Sequence, residues 1–393
     1  MPAVALVLAG IFGLSLHLLV QARSRDNSVR RARDMLRRAN PPGESVDDIS
    51  AREAEAQLED CCAECERIVA RYPRDEFALQ VWGGALWSRA RRSSGDAADR
   101  LLAQAEEKYV VAMDIKPDNV QITVNFFWVL WDRAALHPGL AGMRFLERIE
   151  SECERLSVMY PEESGLLEFW ANSLVSRGVR TSGPEADRLF AVAEKRLNAA
   201  AALHPEDSRI QVAMAATLWR RAGRHSGGEA RDFLRRSLQC LDTAEAAKPG
   251  DVATLCARAW VLYSRAKLMP GEETDRLLAE AEQQFAVRET NAHTLLQGCG
   301  VVFWARSWSA EGAEATRLLT EARKKLTEAE SREPGSAAYN LACVCAQLGD
   351  EGECRQWLEK SREPGILVSR EQMANEQELG LVRELAWFRE MLG

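Results

Sequence analysis

Apolar, aromatic and small residues recur in this chain at a fixed step of 44 residues, in a pattern typical of paired α-helices. One column is leucine in five copies and phenylalanine in the sixth: Leu86, Leu130, Leu174, Leu218, Leu262 and Phe303. The residue that follows is usually aromatic: Trp87, Trp131, Trp219, Tyr263 and Trp304, with Val175 as the exception. Three positions before the leucine, most copies have a small residue, at 83, 171, 215, 259 and 300. Small residues at that place would let two helices approach closely.

Prolines and glycines divide each repeat into two helices. Proline occurs at 73, 117, 161, 205 and 249, and glycine at 95, 139, 183, 227 and 271. The step falls once to 41, so a deletion lies between Arg276 and Thr290, and Pro334 restores the register. We expect a first helix after each proline, a loop with glycine, and a second helix that the next proline ends.

A single helix pair cannot bury its apolar faces, whereas stacked neighbours can. The pattern therefore predicts an all-α fold, an α-solenoid of stacked antiparallel helix pairs. We place the repeats at 48–361: a helix near 50–71, six long pairs and a shorter pair at about 336–361. A helix near 377–391, within a capping region at 362–393, is expected to close the end.

The last repeat resembles the tetratricopeptide repeat family. Ala338-Tyr339-Asn340-Leu341-Ala342-Cys343 is similar to its small-residue first helix, Gly349-Asp350 to its turn, and Trp357-Leu358 to its second helix. The usual repeat has 34 residues, so this chain resembles a long-loop variant of 44 residues, with the excess placed between the two helices. The resemblance implies a superhelix whose first helices line a concave groove that recognises proteins or peptides.

A groove should vary between repeats while the core stays fixed. Positions 4, 7 and 11 after each proline share one helix face. The candidate groove residues on that face are Gln80, Gln121, Trp128, Glu168, Asn172, Arg209, Trp260 and Gln297. The two tryptophans are candidate anchors, because interface hot spots favour tryptophan. The alternative is a solvated face with two partly buried tryptophans.

Three other patterns have both a binding and a structural interpretation. An arginine column at 89, 133, 177, 221, 265 and 306 is either a basic ladder for an acidic partner or a set of cations at helix C-termini. The aromatic column either stacks on a ligand or packs between repeats. The cysteines of a CxxC motif, Cys62 and Cys65, lack further zinc ligands nearby, and the repeat register places Cys61 and Cys65 in core columns. We favour the structural interpretation for all three.

Composition and motifs argue against catalysis and against nucleic-acid binding. The formal net charge is −8 and the isoelectric point is about 5.5, whereas nucleic-acid binders are usually basic. The five histidines are isolated, and no phosphate-binding loop, His-Glu-x-x-His or Gly-x-Ser-x-Gly motif occurs. We expect no enzyme activity, cofactor, metal or small-molecule substrate. An enzymatic interpretation would need a cofactor bound in the groove.

The N-terminus differs in character from the repeats. Residues 3–20 are almost entirely apolar and would form a helix of about 27 Å, close to the thickness of a membrane core. Seven arginines and two aspartates follow within 21–38. We expect a single-pass anchor at 1–22, a basic linker at 23–47, and repeats that face the cytoplasm. A cleaved signal and a peripheral amphipathic segment are the alternatives.

Two functions fit these features. The first is a membrane-anchored scaffold or receptor that binds a protein or peptide client, an architecture that resembles organelle import or chaperone-docking receptors. The outer mitochondrial membrane is one candidate location. The second is a soluble or exported assembly factor or co-chaperone for an enzyme complex, from which residues 1–22 have been removed. The N-terminus of the mature protein distinguishes them.

Overall fold

The structure is a computed structural model that describes residues 27–40, 51–137, 139–286, 293–361, 373–374 and 376–392. Within these ranges it contains 17 α-helices, one short 3-10 helix and no strand. The chain forms two compact units, residues 1–182 and residues 183–393, which we call unit 1 and unit 2. The predicted α-solenoid is confirmed, because helices within each unit pack in sequence as antiparallel pairs.

The helix bounds follow the repeat. Unit 1 contains α1 Asn27–Ala39, α2 Ala51–Arg71, α3 Glu76–Ala90, α4 Gly95–Ile115, α5 Val120–Leu136, α6 Leu140–Met159 and α7 Ser164–Arg180. Unit 2 begins with α8 Gly183–Leu203, α9 Ser208–Ala222, α10 Gly227–Ala247, α11 Val252–Leu268 and α12 Glu272–Ala286. It continues with α13 His293–Ser307, α14 Gly312–Arg332, α15 Ala338–Leu348, α16 Glu351–Ser361, the 3-10 helix Gln377–Leu379 and α17 Ala386–Leu392.

A column of capping side chains sets the start of most first helices. The Asp75 carboxylate accepts a hydrogen bond from the backbone N–H of Ala78 at 3.0 Å. Asn119, Asp207 and Asp251 cap the later helices in the same way. Such a cap stabilises a helix by about 1 kcal/mol. The first helices consequently start 44 residues apart, at Glu76, Val120, Ser164, Ser208 and Val252.

The repeated glycines are needed where the second helices begin. Gly95, the first residue of α4, has a φ of 55°, in the left-handed region where other residues are strained. Gly139, Gly183, Gly227 and Gly312 have similar angles, between 56° and 71°. No neighbouring atom lies within 4 Å of a Cβ placed on Gly95. The backbone turn, rather than close packing, therefore requires glycine here.

The length beyond 34 residues lies in the helices, so our expectation of a long loop between them was wrong. Helix α3 has 15 residues and α4 has 21, and only residues 91–94 connect them. The physical reason is that the apolar column continues to the end of α4. Tyr109 and Ala112 in its last two turns are 1% and 0% exposed, and burying them favours continuing the helix.

The small-residue column brings helices together as predicted. A Cβ on Gly83 would lie 2.8 Å from the Tyr109 ring, and one on Gly300 would lie 2.7 Å from Cγ of Leu326. In both cases the second helix of the same repeat packs directly on the glycine. Ala259 holds the same column position and is fully buried. Close approach of the two helices therefore depends on a side chain no larger than a methyl group.

Residues 27–39, which we had placed in a basic linker, form helix α1. Ala32, Leu36 and Ala39 stand at positions i, i+4 and i+7, and this apolar stripe is buried against α2 and α3. The Arg92 guanidinium donates to the backbone oxygen of Ala39 at 2.9 Å. These contacts fix the basic helix to the first repeat.

The C-terminal segment packs on unit 2 as a cap, although not as one continuous helix. The 3-10 helix Gln377–Leu379 and helix α17 replace the helix expected near 377–391, with Gly380 at the interruption. Leu379 and Phe388 are fully buried and join the core cluster that contains Leu341.

None of the helices in the described ranges has both the length and the apolar character needed to cross a membrane. The predicted anchor at 1–22 lies outside the described residues.

Candidate functional site on the first helices

Neighbouring first helices are joined through the aromatic column. The indole N–H of Trp87 donates to the Asp132 carboxylate at 2.7 Å, one repeat further on. Trp219 donates to the Ser264 hydroxyl at 2.6 Å in the same manner. Burial raises the pKa of Asp132, and the hydrogen bond from Trp87 only partly opposes that effect. These bonds support the interpretation that the column packs between repeats.

The arginine column is paired with acidic residues of neighbouring second helices, which argues against a free basic ladder. Arg177 on α7 contacts Glu150 at 2.5 Å and Glu147 at 3.2 Å on α6. Arg133 on α5 contacts Glu106 on α4 at 2.5 Å. Burial raises the pKa of Glu150 even though Arg177 lies beside it. The structural interpretation is therefore supported, but through ion pairs rather than the helix dipole.

Two repeats depart from this pairing. In one repeat, Leu238 stands at the place that is acidic in its neighbours. Arg265 instead contacts Glu273 on α12 at 2.7 Å. At the end of the array the charges are exchanged: Arg323 occupies the position of the acidic residue, and Asp350 occupies that of the arginine. Arg323 and Asp350 are 3.5 Å apart.

In unit 1, the candidate groove residues Gln121, Trp128 and Asn172 lie on α5 and α7 and are half-buried. Phe169 packs edge-on against Trp128, with ring centroids 4.6 Å apart. The indole nitrogen of Trp128 is buried and has no hydrogen-bond acceptor within the described part of the chain. The Gln121 amide donates to the Asn125 side chain at 3.2 Å.

We call Gln121, Trp128 and Asn172 the Trp128 patch. Asn172 follows Trp128 by one repeat and therefore holds the corresponding position on the next first helix. Glu168, one turn before Asn172, is half-buried and interacts with another described residue. The patch combines an aromatic surface with amide donors and acceptors, which match the hydrogen-bonding groups of a peptide backbone.

Three other candidates are placed differently. Gln80 is only 6% exposed, so a ligand could reach little of it. Arg209 is exposed, but its guanidinium pairs with Asp207, the cap of its own helix, at 2.9 Å. Gln297 donates to the backbone oxygen of Ser336 at 2.6 Å and so joins α13 to the following loop. The burial of Gln80 and the intramolecular contacts of Arg209 and Gln297 therefore account for these three side chains without a ligand.

In unit 2, Trp260 belongs to a continuous row of aromatic rings on α9, on α11 and directly after α13. Trp260 lies 6.0 Å from Trp219 and 5.9 Å from Tyr263, and Tyr263 lies 4.9 Å from Trp308, measured between ring centroids. Cations flank both ends of the row. We call the resulting surface the aromatic face and define it by Trp219, Arg220, Trp260, Tyr263, Lys267 and Trp308.

The C-terminal segment contacts one end of this face through two carboxylates. Lys267 Nζ lies 2.9 Å from Glu376 Oε1 and 2.8 Å from Glu378 Oε1. The hydroxyl of Tyr263 donates to Glu378 at 3.3 Å, and that of Tyr339 donates to Glu376 at 3.4 Å. An acidic stretch of the chain is thus held by a lysine and two tyrosines.

The two carboxylates titrate differently. Burial raises the pKa of Glu376, and its hydrogen bond with Glu378 adds to this effect. Burial also disfavours ionisation of Glu378, but hydrogen bonds with Glu376 and Lys267 outweigh it and lower that pKa.

The cysteines are placed as core residues. Cys61 and Cys65 are fully buried, and Cys61 donates from its thiol to the backbone oxygen of Ala32 at 3.1 Å. Burial raises the pKa of Cys62 to about 12, and the neighbouring Cys61 contributes to the shift. Thiols with raised pKa are poor nucleophiles at neutral pH.

Solved structures with similar folds are helical repeat proteins. The chain is similar to the crystal structure of yeast Tom70, with a TM-score of 0.54 and 13% identity over 94% of this chain and 65% of that chain. Human IFIT1 dimers with PPP-AAAA and m7Gppp-AAAA have TM-scores of 0.48 and 0.49, at 14% and 15% identity, over 86% of this chain and 73% of theirs. At such identity the likeness to Tom70 shows the fold alone, an α-solenoid.

No protein-family model matches the sequence. A comparison with curated proteins gives no match either.

Proposed function

We propose that the chain is a non-enzymatic scaffold that binds a protein or peptide client through the Trp128 patch, and that residues 3–20 anchor it to a membrane. The observation that supports client binding most directly is the buried indole N–H of Trp128, which lacks an acceptor among the described residues. A buried donor without a partner costs about 1–3 kcal/mol. A ligand that displaces the groups covering this N–H and brings a carbonyl oxygen to it would recover that free energy.

An extended peptide is the ligand class that suits the remaining groups of the patch. Its backbone supplies carbonyl oxygens for the indole, and N–H groups and carbonyls for the amides of Gln121 and Asn172. Trp128 also offers a half-buried apolar surface, the kind of residue on which interface binding energy concentrates. An α-solenoid presents such side chains from successive helices, as an elongated ligand requires.

The arginines of α1 support the membrane part of the proposal. Arg31 and Arg38 are exposed and form no ion pair with a carboxylate among the described residues. Burial lowers the pKa of Arg33, and the charge of Arg37 lowers it further. Anionic lipid would relieve this crowding and contribute about 1 kcal/mol for each arginine near the surface. By the positive-inside rule, the repeats then lie on the cytoplasmic side.

The client site is tested with Trp128→Phe, which keeps an aromatic ring but removes the N–H. The full chain, held in detergent, is first used to select peptides from a random display library, and their affinities are then measured by fluorescence anisotropy. We expect Trp128→Phe to weaken the selected peptides about tenfold or more. Its free energy of unfolding should stay within about 1 kcal/mol of the wild type, because removal of the unpartnered N–H stabilises the fold while the smaller ring leaves a cavity that destabilises it.

Trp357→Phe is the matched control, since Trp357 lies on the second helix α16 of unit 2. It should leave peptide affinity unchanged. Equal affinity of the Trp128→Phe variant and the wild type for every selected peptide would refute the assignment of the client site to this patch.

A further inference from the structure

Arg220 on the aromatic face has no acidic partner among the described residues. It is half-buried on α9, and its guanidinium lies 5.2 Å from the centroid of the Trp219 ring. Burial lowers its pKa, and no neighbouring carboxylate opposes that effect. The next arginine, Arg221, is by contrast paired with Glu194. A desolvated guanidinium without a counter-ion is costly, and an incoming anion would compensate it.

The rest of the aromatic face indicates what kind of anion it accepts. The row of rings runs without a gap from Trp219 beside Arg220 to Tyr263 beside Lys267. At the Lys267 end, the chain's own Glu376 and Glu378 are already bound. This surface thus already binds a segment of its own chain through that segment's side-chain carboxylates.

We propose that the aromatic face of unit 2 binds an acidic peptide segment of a partner, whose side-chain carboxylates pair with Arg220 and compete with Glu376 and Glu378 for Lys267. This inference rests on the proposed scaffold function and names the ligand class, an acidic peptide. The site is separate from the Trp128 patch. Charge complementarity and the bound C-terminal segment favour a peptide over a nucleic acid. The aromatic rings would contact the apolar parts of the peptide between its acidic residues.

The two carboxylates of the C-terminal segment should weaken binding of the partner. A group tethered in the same chain competes at an effective concentration that reaches millimolar values. Neutralising Glu376 and Glu378 would free Lys267 while leaving Leu379 and Phe388 buried in the core. Affinity for an acidic peptide should therefore rise when these two glutamates become glutamine.

The probe is a peptide with the sequence of residues 374–381, acetylated, amidated and labelled with an uncharged fluorophore so that its only carboxylates are the two side chains. Anisotropy with the full chain measures its affinity for the wild type, for Glu376→Gln/Glu378→Gln, and for that double variant combined with Arg220→Gln. We expect the double variant to bind about fivefold or more tightly than the wild type. Adding Arg220→Gln should reduce affinity about tenfold or more, as loss of a desolvated charge pair does.

Arg188→Gln in the double variant is the matched control, because Arg188 is exposed and its ion pair among the described residues is with Glu185 one turn earlier. It should leave affinity unchanged, as should Trp128→Phe, which tests the other site. A probe with glutamine in place of both glutamates should not bind. Equal affinity with and without Arg220→Gln would overturn the proposal, and so would a uridine octamer that binds more tightly than the acidic probe and competes with it.

A measurement on the wild type keeps the proposal testable if a variant does not fold. The same peptide, with a photoreactive leucine at the place of Leu379, is crosslinked to the unmodified chain, and the products are mapped by mass spectrometry. Crosslinks to residues 219–220 or 260–267 are expected. Crosslinks confined to unit 1 would contradict the assignment.

Discussion

At the residue scale, the ion pair between first and second helices persists even where its signs are exchanged. Glu150 and Arg177 join two neighbouring repeats, whereas Arg323 and Asp350 hold the equivalent places at the end of the array. Where the acidic member is replaced by Leu238, Arg265 turns to the following helix and pairs with a different acid. Where the position 27 residues earlier holds a charge, that charge is opposite in sign, and either member of the pair can be the acid.

This observation predicts that Arg177→Glu is destabilising and that Glu150→Arg rescues it. The single variant Arg177→Glu places a carboxylate against the acids of α6, and both Arg177 and Glu150 have largely buried side chains, at 18% and 13% exposure. We expect a loss of about 2 kcal/mol in the free energy of unfolding. The exchanged pair should recover more than half of that loss. Urea unfolding of the four proteins of the cycle measures the coupling.

The same exchange at Arg155 and Glu152, an exposed pair one turn apart on α6, is the control. Its effect should stay within about 0.5 kcal/mol, because exposed pairs contribute little. If the double exchange at Arg177 and Glu150 is as unstable as the sum of the two single variants, opposite charge is not what the position requires.

At the element scale, periodic residues predict helices well, and non-periodic ones do not. The prolines and glycines placed six long helix pairs, because a cap or a turn stands at each boundary. Glycine predicts a turn, and so a longer loop, whereas Gly95 begins a helix. The sequence does not predict helix α1, because its three apolar positions stand among arginines. It predicts one C-terminal helix, because no repeat marks the interruption.

Close packing within a repeat predicts opposite effects for two glycines inside helices. Gly300→Ala should destabilise unit 2 by about 1–3 kcal/mol, because its Cβ would press on Leu326 and lie 3.3 Å from the backbone oxygen of Ala322. Gly228→Ala should be neutral or stabilise by up to about 1 kcal/mol, because nothing lies within 4 Å and alanine favours a helix. Thermal unfolding followed by circular dichroism compares them. Equal shifts in Tm would mean that helix propensity, not approach of α14, determines the effect of Gly300→Ala.

At the scale of the whole molecule, the repeat determines the framework, and contacts between distant residues determine the candidate sites. Trp128 and Trp260 could be selected from the sequence because they vary within a fixed register. Lys267 and Glu376 could not, because they are 109 residues apart and the acidic residue lies outside the repeats. Gln80 was misplaced because helical spacing gives a face but not the depth of a side chain beneath its neighbours. Sequence periodicity therefore predicts which helices form a surface better than it predicts which side chains a ligand can touch.

The proposed anchor makes the orientation of the whole chain testable. With a tag at the C-terminus, the full-length protein should remain in membranes after alkaline extraction, and protease added to intact membranes should digest the tag. Replacing Leu8 and Leu14 with arginine should release the protein, since each charge at the centre of a spanning helix costs about 2.5–3.5 kcal/mol. A wild-type protein that is soluble and shortened by about 22 residues, as removal of a signal segment implies, would refute the anchor and favour an exported assembly factor. The opposite charges on either side of residue 39 favour the anchored form, because the arginines follow the apolar segment directly in the sequence and the net negative charge lies in the repeats after them.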